Sequence, residues 1–292
     1  MIIGDNKKEV IKNIEKAVDL QEFNQKVEVN DPQLTAEEKN KIVKRYLKNR
    51  NKLTFKTKTK IAKSTIALLT NILEKDTKIV GEENIRDIKG GAIITSNHFN
   101  PLDNLIIQKL AKKVLKKRLY IIGQETNLAM TGMVGFFMNY SDIIPISNQI
   151  SYMKKEFPEV IKEILEKENL ILIYPEQEMW FNYRKPRPLK EGAYYFAAKN
   201  NVPIVSCFVE MIETDEKDNE EFNKVKYILH ILKPIYPNPN MTIKENSEFM
   251  METDYNQKKE AYEKAYNKKL NYVFEINEDI AGLITQEEVE SN

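Results

Sequence analysis

Short apolar runs separated by segments of helical length constrain the fold of this chain more than any other feature. The runs occupy residues 91–95, 118–122, 143–146, 170–174 and 203–209. Strands that are apolar throughout are buried on both faces, which is typical of parallel sheets with helices on each side. The sequence therefore predicts an α/β fold with a mostly parallel central sheet covered by helices.

Two further segments flank this alternating region. Residues 1–77 are predicted to form an N-terminal helical segment, in which Thr35 and Glu38 have the spacing of a capped helix start. Residues 78–245 form the predicted α/β domain. Residues 246–292 are predicted to form a C-terminal helix and tail that pack on this domain.

The composition excludes several classes of protein. The chain has 292 residues, a formal net charge of +1 and one cysteine, Cys207, so it has no internal disulfide and fits a reducing compartment. No apolar run reaches the roughly 18 residues expected of a membrane span, and the N-terminus does not resemble a signal peptide. Nor do the His, Cys, Asp and Glu residues have metal-ligand spacing. We therefore expect a cytoplasmic protein, free or bound to a membrane surface.

A basic segment precedes the α/β region. Residues 41–63 contain ten lysines and arginines and no acidic residue, and an apolar face with helical spacing follows at residues 61–73. Few aromatic side chains interrupt the run, which disfavours nucleic-acid binding. A basic amphipathic helix suits the anionic inner face of a membrane, so docking is predicted at four lysines, with a solvated helix face as the alternative. These are Lys56, Lys58, Lys60 and Lys63.

The turn at residues 97–103 carries the strongest chemical signal. His98, one of two histidines, follows a predicted strand, and Asn100 and Pro101 suit the start of a helix. Asp103 then falls in the first helical turn, where the helix dipole favours a carboxylate. A carboxylate near an imidazole fixes its tautomer and stabilises its charged form, so this pair has the equipment of a general base.

Four sequence blocks extend this signal. Residues 97–103 read Asn-His-Phe-Asn-Pro-Leu-Asp and match the pattern NHxxxxD. The others are Ile-Ile-Pro-Ile-Ser at 143–147, Tyr-Pro-Glu-Gln-Glu-Met-Trp at 174–180, and Lys-Glu-Gly at 190–192 followed by Val-Pro-Ile-Val. In this order, the blocks resemble the glycerolipid acyltransferase family, the PlsC-like 1-acylglycerol-3-phosphate acyltransferases, over roughly residues 78–240.

The resemblance implies a reaction and a set of roles. A fatty acyl group would move from acyl-CoA or acyl-carrier protein to the hydroxyl of a lysophospholipid, most simply 1-acylglycerol-3-phosphate, with no cofactor. His98 would be the general base and Asp103 its orienting carboxylate. Asn97 and Glu176 would help to bind the acceptor. Such an enzyme would work at the inner face of the membrane, where its lipid substrates are.

Two departures from the family pattern concern the acceptor. Ser147 and Met179 stand where the family has the arginines that bind the acceptor phosphate. Four nearby cations could replace them in an anion-binding rim, and this explanation is preferred: Arg184, Lys185, Arg187 and Lys190. The other explanation is an acceptor without a phosphate.

Other interpretations compete with catalysis by His98 and Asp103. The chain could be a lipid-binding or membrane adaptor that kept the fold and lost turnover. Cys207 could pair with His98 as a nucleophile, although its apolar strand favours a role as a core residue. Trp180 and Tyr183 fit either the lining of an acceptor site or packing beneath a loop.

Overall fold

A seven-stranded sheet forms the centre of the molecule. In the computed structural model, which describes residues 6–29 and 32–284, the strand order is β1-β7-β6-β2-β5-β3-β4. Every neighbouring pair is parallel except β6 and β7. The strands are β1 (Lys78–Val80), β2 (Ala92–Thr95), β3 (Leu119–Gln124), β4 (Ile143–Ile146), β5 (Leu170–Ile173), β6 (Ile204–Lys217) and β7 (Asn223–Ile231). The predicted α/β fold with a mostly parallel sheet is confirmed.

Helices precede, cover and follow this sheet. They are α1 (Lys7–Asp19), α2 (Ala36–Asn49), α3 (Leu53–Leu73), α4 (Asn104–Leu110), α5 (Gly132–Tyr140), α6 (Ile150–Lys154), α7 (Glu156–Glu166), α8 (Gly192–Lys199), α9 (Ile243–Tyr266) and α10 (Ile276–Asp279). Short 3₁₀ turns occur at Glu82–Ile85 and Glu125–Ala129, and a π turn at Ala111–Leu115 extends α4.

The central strands β2 and β5 are almost entirely apolar because both faces of the sheet are buried there. In β2, Ile94 packs in one hydrophobic cluster with Leu172 and Val205, whereas its neighbour Ile93 packs in a second cluster on the opposite face. Successive residues of a strand point to opposite faces, so a strand covered on both sides has few polar positions. The central position of β2 places the loop that follows it at the middle of the sheet's carboxyl edge.

The C-terminal helix begins earlier than its sequence pattern indicates. The pattern predicts a helix over residues 254–274, but α9 spans Ile243–Tyr266. Thr242 and Glu245 form a capping box at its start, the motif that also starts α2 at Thr35. The prediction placed the start too late because it did not use this motif.

Helix α9 is tied to the sheet by buried charges. Lys258 is fully buried, forms an ion pair with Asp254, and donates a hydrogen bond to Thr95 Oγ1 at 2.9 Å. Tyr194 of α8 donates to the same aspartate at 2.5 Å. This network fixes α9 and α8 against the end of β2, directly before the loop that carries His98.

The N-terminal helices cover different parts of the molecule. Helix α1 packs against Trp180 and Phe222 in a third hydrophobic cluster, whereas one side of α3 is exposed. Within the described ranges, the chain has no helix with both the length and the apolar character needed to cross a membrane. The first five residues and the predicted tail at 285–292 lie outside the described residues, and the segment boundaries stay predictions.

Candidate active site

The loop after β2 brings His98 and Asp103 together. The distance between His98 Nδ1 and Asp103 Oδ2 is 2.8 Å. The same carboxylate oxygen accepts hydrogen bonds from the backbone N–H groups of Phe99, at 2.9 Å, and Asn100, at 3.2 Å. Asp103 is buried, and its side chain is held against the loop from several directions.

This arrangement corrects the predicted start of the helix. Helix α4 begins at Asn104, so Asn100 and Pro101 belong to the turn before it. Asn100 Oδ1 accepts a hydrogen bond from the Leu102 N–H at 3.0 Å. The carboxylate of Asp103 accepts hydrogen bonds from N–H groups of the preceding loop, and not from those of the first turn of α4. The local hydrogen bonds thus hold Asp103 against His98.

Tyr174, the residue after β5, completes the pair. Its ring stacks on the His98 imidazole, with ring centres 3.9 Å apart and planes 12° apart. Its hydroxyl donates to Asp103 Oδ1 at 2.6 Å. Burial, followed by the charge of Asp103, raises the pKa of Tyr174 well above its ordinary value, so the phenol stays protonated and acts as a donor.

Sequence reasoning missed Tyr174 as a site residue. The signal was present, because the third block begins with a tyrosine, whose hydroxyl can reach a carboxylate. The value of that hydroxyl depends on the parallel pairing of β2 and β5, which places Tyr174 beside the loop of His98.

The carboxylate of Glu176 forms hydrogen bonds within the protein. Its Oε2 accepts hydrogen bonds from the His98 backbone N–H, at 3.2 Å, and from Arg187 Nη2, at 2.9 Å. Its Oε1 accepts from the Arg187 backbone N–H at 3.0 Å. Glu176 is buried and positions the backbone of His98, and its predicted contact with the acceptor stays a prediction.

Asn97 also bonds to the protein itself. Its side-chain oxygen accepts from the Val209 N–H at 2.8 Å, and its side-chain nitrogen donates to the Val209 carbonyl at 3.1 Å. Both ends of the amide are therefore engaged with β6. Asn97 thus fixes the loop to the neighbouring strand, and its predicted contact with the acceptor stays a prediction.

The predicted basic rim is not formed by three of its four cations. Each of these three is paired with a carboxylate: Arg187 with Glu176 at 2.9 Å, Lys185 with Asp279 at 2.8 Å, and Arg184 with Glu213 at 2.5 Å. Lys185 and Arg187 are almost fully buried, and a buried charge must be paired to be tolerated. Lys190 is exposed, so it alone of the four lies at the surface as predicted.

The two positions that lack the family's arginines have different surroundings. Ser147 is buried, and its hydroxyl accepts a hydrogen bond from the Gln149 N–H at 3.3 Å. Next to Met179, the side chain of Glu178 accepts a hydrogen bond from Gln124 at 2.9 Å, and its backbone carbonyl accepts one from Arg187. Arg187 is itself paired with Glu176.

Three further candidates are core residues. Cys207 is fully buried, and burial raises the pKa of its thiol to about 12, so it stays protonated and does not act as a nucleophile. Trp180 and Tyr183 are buried as well, and Trp180 donates from its indole N–H to the Gln25 carbonyl at 3.0 Å. Both aromatic residues therefore pack beneath the loop.

The pair of His98 and Asp103 can act as a base towards a hydroxyl. When the Nδ1–H bonds to the carboxylate, Nε2 carries the free lone pair. The His98 side chain is 21% exposed, whereas that of Asp103 is 2% exposed, so the imidazole is the member of the pair that meets solvent. Among the described residues, no three His, Cys, Asp or Glu side chains cluster as a metal site.

The fold and this pair define an α/β protein with a histidine–aspartate pair at the carboxyl edge of its sheet, and comparison with known proteins shows what it is similar to. Residues 76–210 match the family model described as Acyltransferase. This match supports the acyltransferase family that the motifs indicate.

Two known proteins are similar to this chain in sequence or in structure. An uncharacterized acyltransferase of Schizosaccharomyces pombe is 27% identical over 198 residues, which are 66% of this chain and 68% of that protein. The crystal structure of the 1-acyl-sn-glycerophosphate (LPA) acyltransferase PlsC from Thermotoga maritima aligns with a TM-score of 0.48 and 15% identity. That alignment covers 90% of this chain and 98% of the PlsC chain.

Proposed function

We propose that the protein is an O-acyltransferase that moves a fatty acyl group from an acyl thioester, acyl-CoA or acyl-carrier protein, to the hydroxyl of a lysolipid. The observation that carries this proposal is the 2.8 Å contact between His98 and Asp103. The backbone N–H groups of the loop and the Tyr174 hydroxyl hold Asp103 in place, so the imidazole is oriented before any substrate binds.

In the proposed reaction, His98 Nε2 accepts the proton of the acceptor hydroxyl as its oxygen attacks the thioester carbonyl carbon. A carbon–oxygen bond forms, and the tetrahedral intermediate then breaks its carbon–sulfur bond. The proton passes from His98 to the departing sulfur, which leaves as a free thiol. Asp103 stabilises the transient imidazolium, as in other histidine bases with a carboxylate partner.

The charges around the site favour an acceptor other than 1-acylglycerol-3-phosphate. A phosphomonoester carries up to two negative charges and needs unpaired cations, but Arg184, Lys185 and Arg187 are each neutralised by a carboxylate. Lys190 remains exposed. We therefore propose a lysolipid whose head group is neutral or zwitterionic, with lysophosphatidate as the acceptor to compare.

The enzyme would work at the cytoplasmic face of the membrane. One side of α3 exposes several large apolar side chains: Leu68, Leu69, Ile72 and Leu73. Lys56, Lys58 and Lys60 of the predicted docking set are exposed on the same helix, and Lys58 also contacts Tyr140, whereas Lys63 is partly buried and pairs with Asp142. An exposed apolar face with lysines beside it supports docking on an anionic bilayer.

The decisive experiment measures thiol release from acyl-CoA and from acyl-carrier protein in the presence of a panel of lysolipids. We expect acceptor-dependent release by the wild-type protein, and a loss on the order of 10²–10⁴-fold in His98→Ala. The matched control is His230→Ala, which removes the other histidine. If no lysolipid supports release while vesicles still bind, the protein is a lipid-binding adaptor. If His98→Ala keeps full activity, the mechanism is wrong.

Membrane docking has its own test. Cosedimentation with phosphatidylcholine vesicles, with and without phosphatidylglycerol, compares the wild-type protein with Lys56→Glu/Lys60→Glu. The control, Lys12→Glu/Lys16→Glu, makes the same charge change on helix α1. We expect only the α3 variant to lose its preference for anionic vesicles. Equal binding of the wild-type protein to both vesicles would contradict docking by electrostatic attraction.

A further inference from the structure

A cavity of about 370 Å³ lies between α3, the end of α4 and the start of β3. It lies at the amino end of β3, near Leu119, whereas His98 follows the carboxyl end of the parallel strand β2. The two sites are therefore at opposite ends of the sheet. Nothing in the catalytic proposal uses this cavity.

Five cations line it, and no carboxylate does among the residues that the structure describes. Lys63 and Arg118 share Asp142, at 2.9 Å and 2.8 Å, and Lys117 donates to the Gly90 carbonyl. The other two, Lys112 and Lys116, are exposed, and their side chains have no hydrogen bond or ion pair within the part of the chain that the structure describes. Positive charge is thus in excess around the cavity, which favours an anion.

Two hydroxyl groups point to a ligand independently of these charges. Thr70 and Ser141 line the cavity and are only 2% and 7% exposed. Neither hydroxyl has a hydrogen-bond partner among the described residues. Buried hydroxyls are nearly always hydrogen-bonded in folded proteins, so two such donors beside one basic cavity require an acceptor.

We propose that this cavity binds the phosphate group of a phosphate ester. A phosphate has several oxygens, which can accept from the Arg118 guanidinium, lysine ammonium groups and hydroxyls at the same time. Ile66, Ala67 and Leu119 supply an apolar wall, so an ester with an apolar part fits better than the bare ion. The shared chemistry has two sources: the head group of an anionic phospholipid, and a soluble phosphate ester.

Isothermal titration at constant ionic strength, on wild type and on His98→Ala, tests this with three probes: inorganic phosphate, glycerol 3-phosphate and dihexanoyl phosphatidate. We expect saturable binding of phosphate esters to both proteins, because the site is separate from the catalytic loop. Tighter binding of dihexanoyl phosphatidate identifies a lipid as the source, and equal binding of glycerol 3-phosphate identifies a soluble ester. If no probe binds saturably, the proposal is wrong, whatever the outcome of the thiol-release assay.

Two variants locate the binding. Lys112→Gln/Lys116→Gln removes exposed charges and should weaken binding on the order of tenfold, whereas Lys12→Gln/Lys16→Gln on helix α1 should leave it unchanged. Thr70→Val keeps the side-chain shape and removes the hydroxyl; we expect an unchanged Tm and severalfold weaker binding. Equal losses in the two double variants would overturn the proposal. So would binding of acyl-carrier protein that depends on Lys112 and Lys116 when no phosphate ester binds.

Discussion

Cations cluster at both ends of the central sheet, but the two clusters differ in how many of their cations are paired with carboxylates. At the carboxyl end, each of Arg184, Lys185 and Arg187 is paired with a carboxylate of its own. At the amino end, five cations line the cavity, and Asp142 pairs with two of them, Lys63 and Arg118. We infer that the capacity of a basic segment to bind an anion depends on how many of its cations are unpaired, and not on how many cations it contains.

Burial explains why the two ends differ. Burial lowers the pKa of the Arg187 guanidinium, and the charge of Glu176 opposes this effect. A cation in such surroundings is stable only with a counter-charge, so the carboxyl end uses its positive charges to hold the site together. Lys112 and Lys116 stay in water and need no partner. Exposed charges are thus available for binding, whereas buried ones serve the fold.

The largest expected effect concerns the carboxylate that serves His98. Asp103→Asn keeps the shape of the side chain but removes its charge, so the imidazole loses both its tautomer control and the partner of its charged form. We expect kcat/KM for thiol release to fall on the order of 10²–10⁴-fold. The control Asp87→Asn removes an exposed carboxylate elsewhere. Near-normal activity of Asp103→Asn would show that the pair is not catalytic.

A comparison of Arg187→Met with Lys190→Met tests the contrast between paired and unpaired cations within one end. Arg187→Met leaves the Glu176 carboxylate buried without its partner, and we expect a loss of about 3–5 kcal/mol in the free energy of unfolding. Lys190 is exposed, so Lys190→Met should leave that quantity nearly unchanged. Urea unfolding measures both. Equal stability of the two variants would contradict the inference that the paired cation stabilises the fold and the unpaired one does not.

The fold was largely predictable because a strand that is buried on both faces appears in the sequence as a short run of apolar residues. The pair of His98 and Asp103 was predictable because only four residues of one loop separate them in the sequence. The pairing of the cations was not, because it depends on contacts between distant segments. Lys185 is paired with Asp279 across 94 positions, and no local pattern announces such a partner.

The internal hydrogen bonds of Glu176 and Asn97 were not predictable for a related reason. A polar residue in a motif beside a catalytic histidine suggests contact with substrate, but both side chains bond to backbone groups of neighbouring loops and strands. Those backbone groups acquire their positions only when the parallel sheet forms. Motifs thus identified the residues of the site, and the sheet determined which of them remain open to a ligand.

A smaller effect is expected for Tyr174→Phe, which tests the hydrogen bond that holds Asp103 at the carboxyl end of the sheet. The ring can still stack on His98, but Asp103 loses the hydrogen bond of 2.6 Å. Hydrogen bonds to charged groups contribute about 1.5–3 kcal/mol, so kcat/KM should fall on the order of tenfold. The control is Tyr183→Phe, which removes a buried hydroxyl that has no hydrogen-bond partner among the described residues. An equal loss in both variants would assign the effect to packing.

The smallest expected effect has the opposite sign and lies at the amino end. Asp142→Asn removes the carboxylate shared by Lys63 and Arg118, so both cations become available to an anion in the cavity. Asp142 has a positive φ of 62°, a conformation that asparagine also tolerates, and the backbone should be kept. We expect titration to give severalfold tighter binding of glycerol 3-phosphate, and Asp19→Asn, an exposed site on α1, to give no change. Weaker binding in Asp142→Asn would mean that this carboxylate positions Lys63 and Arg118 for the ligand, and the amino end would then resemble the carboxyl end in using its charges for structure.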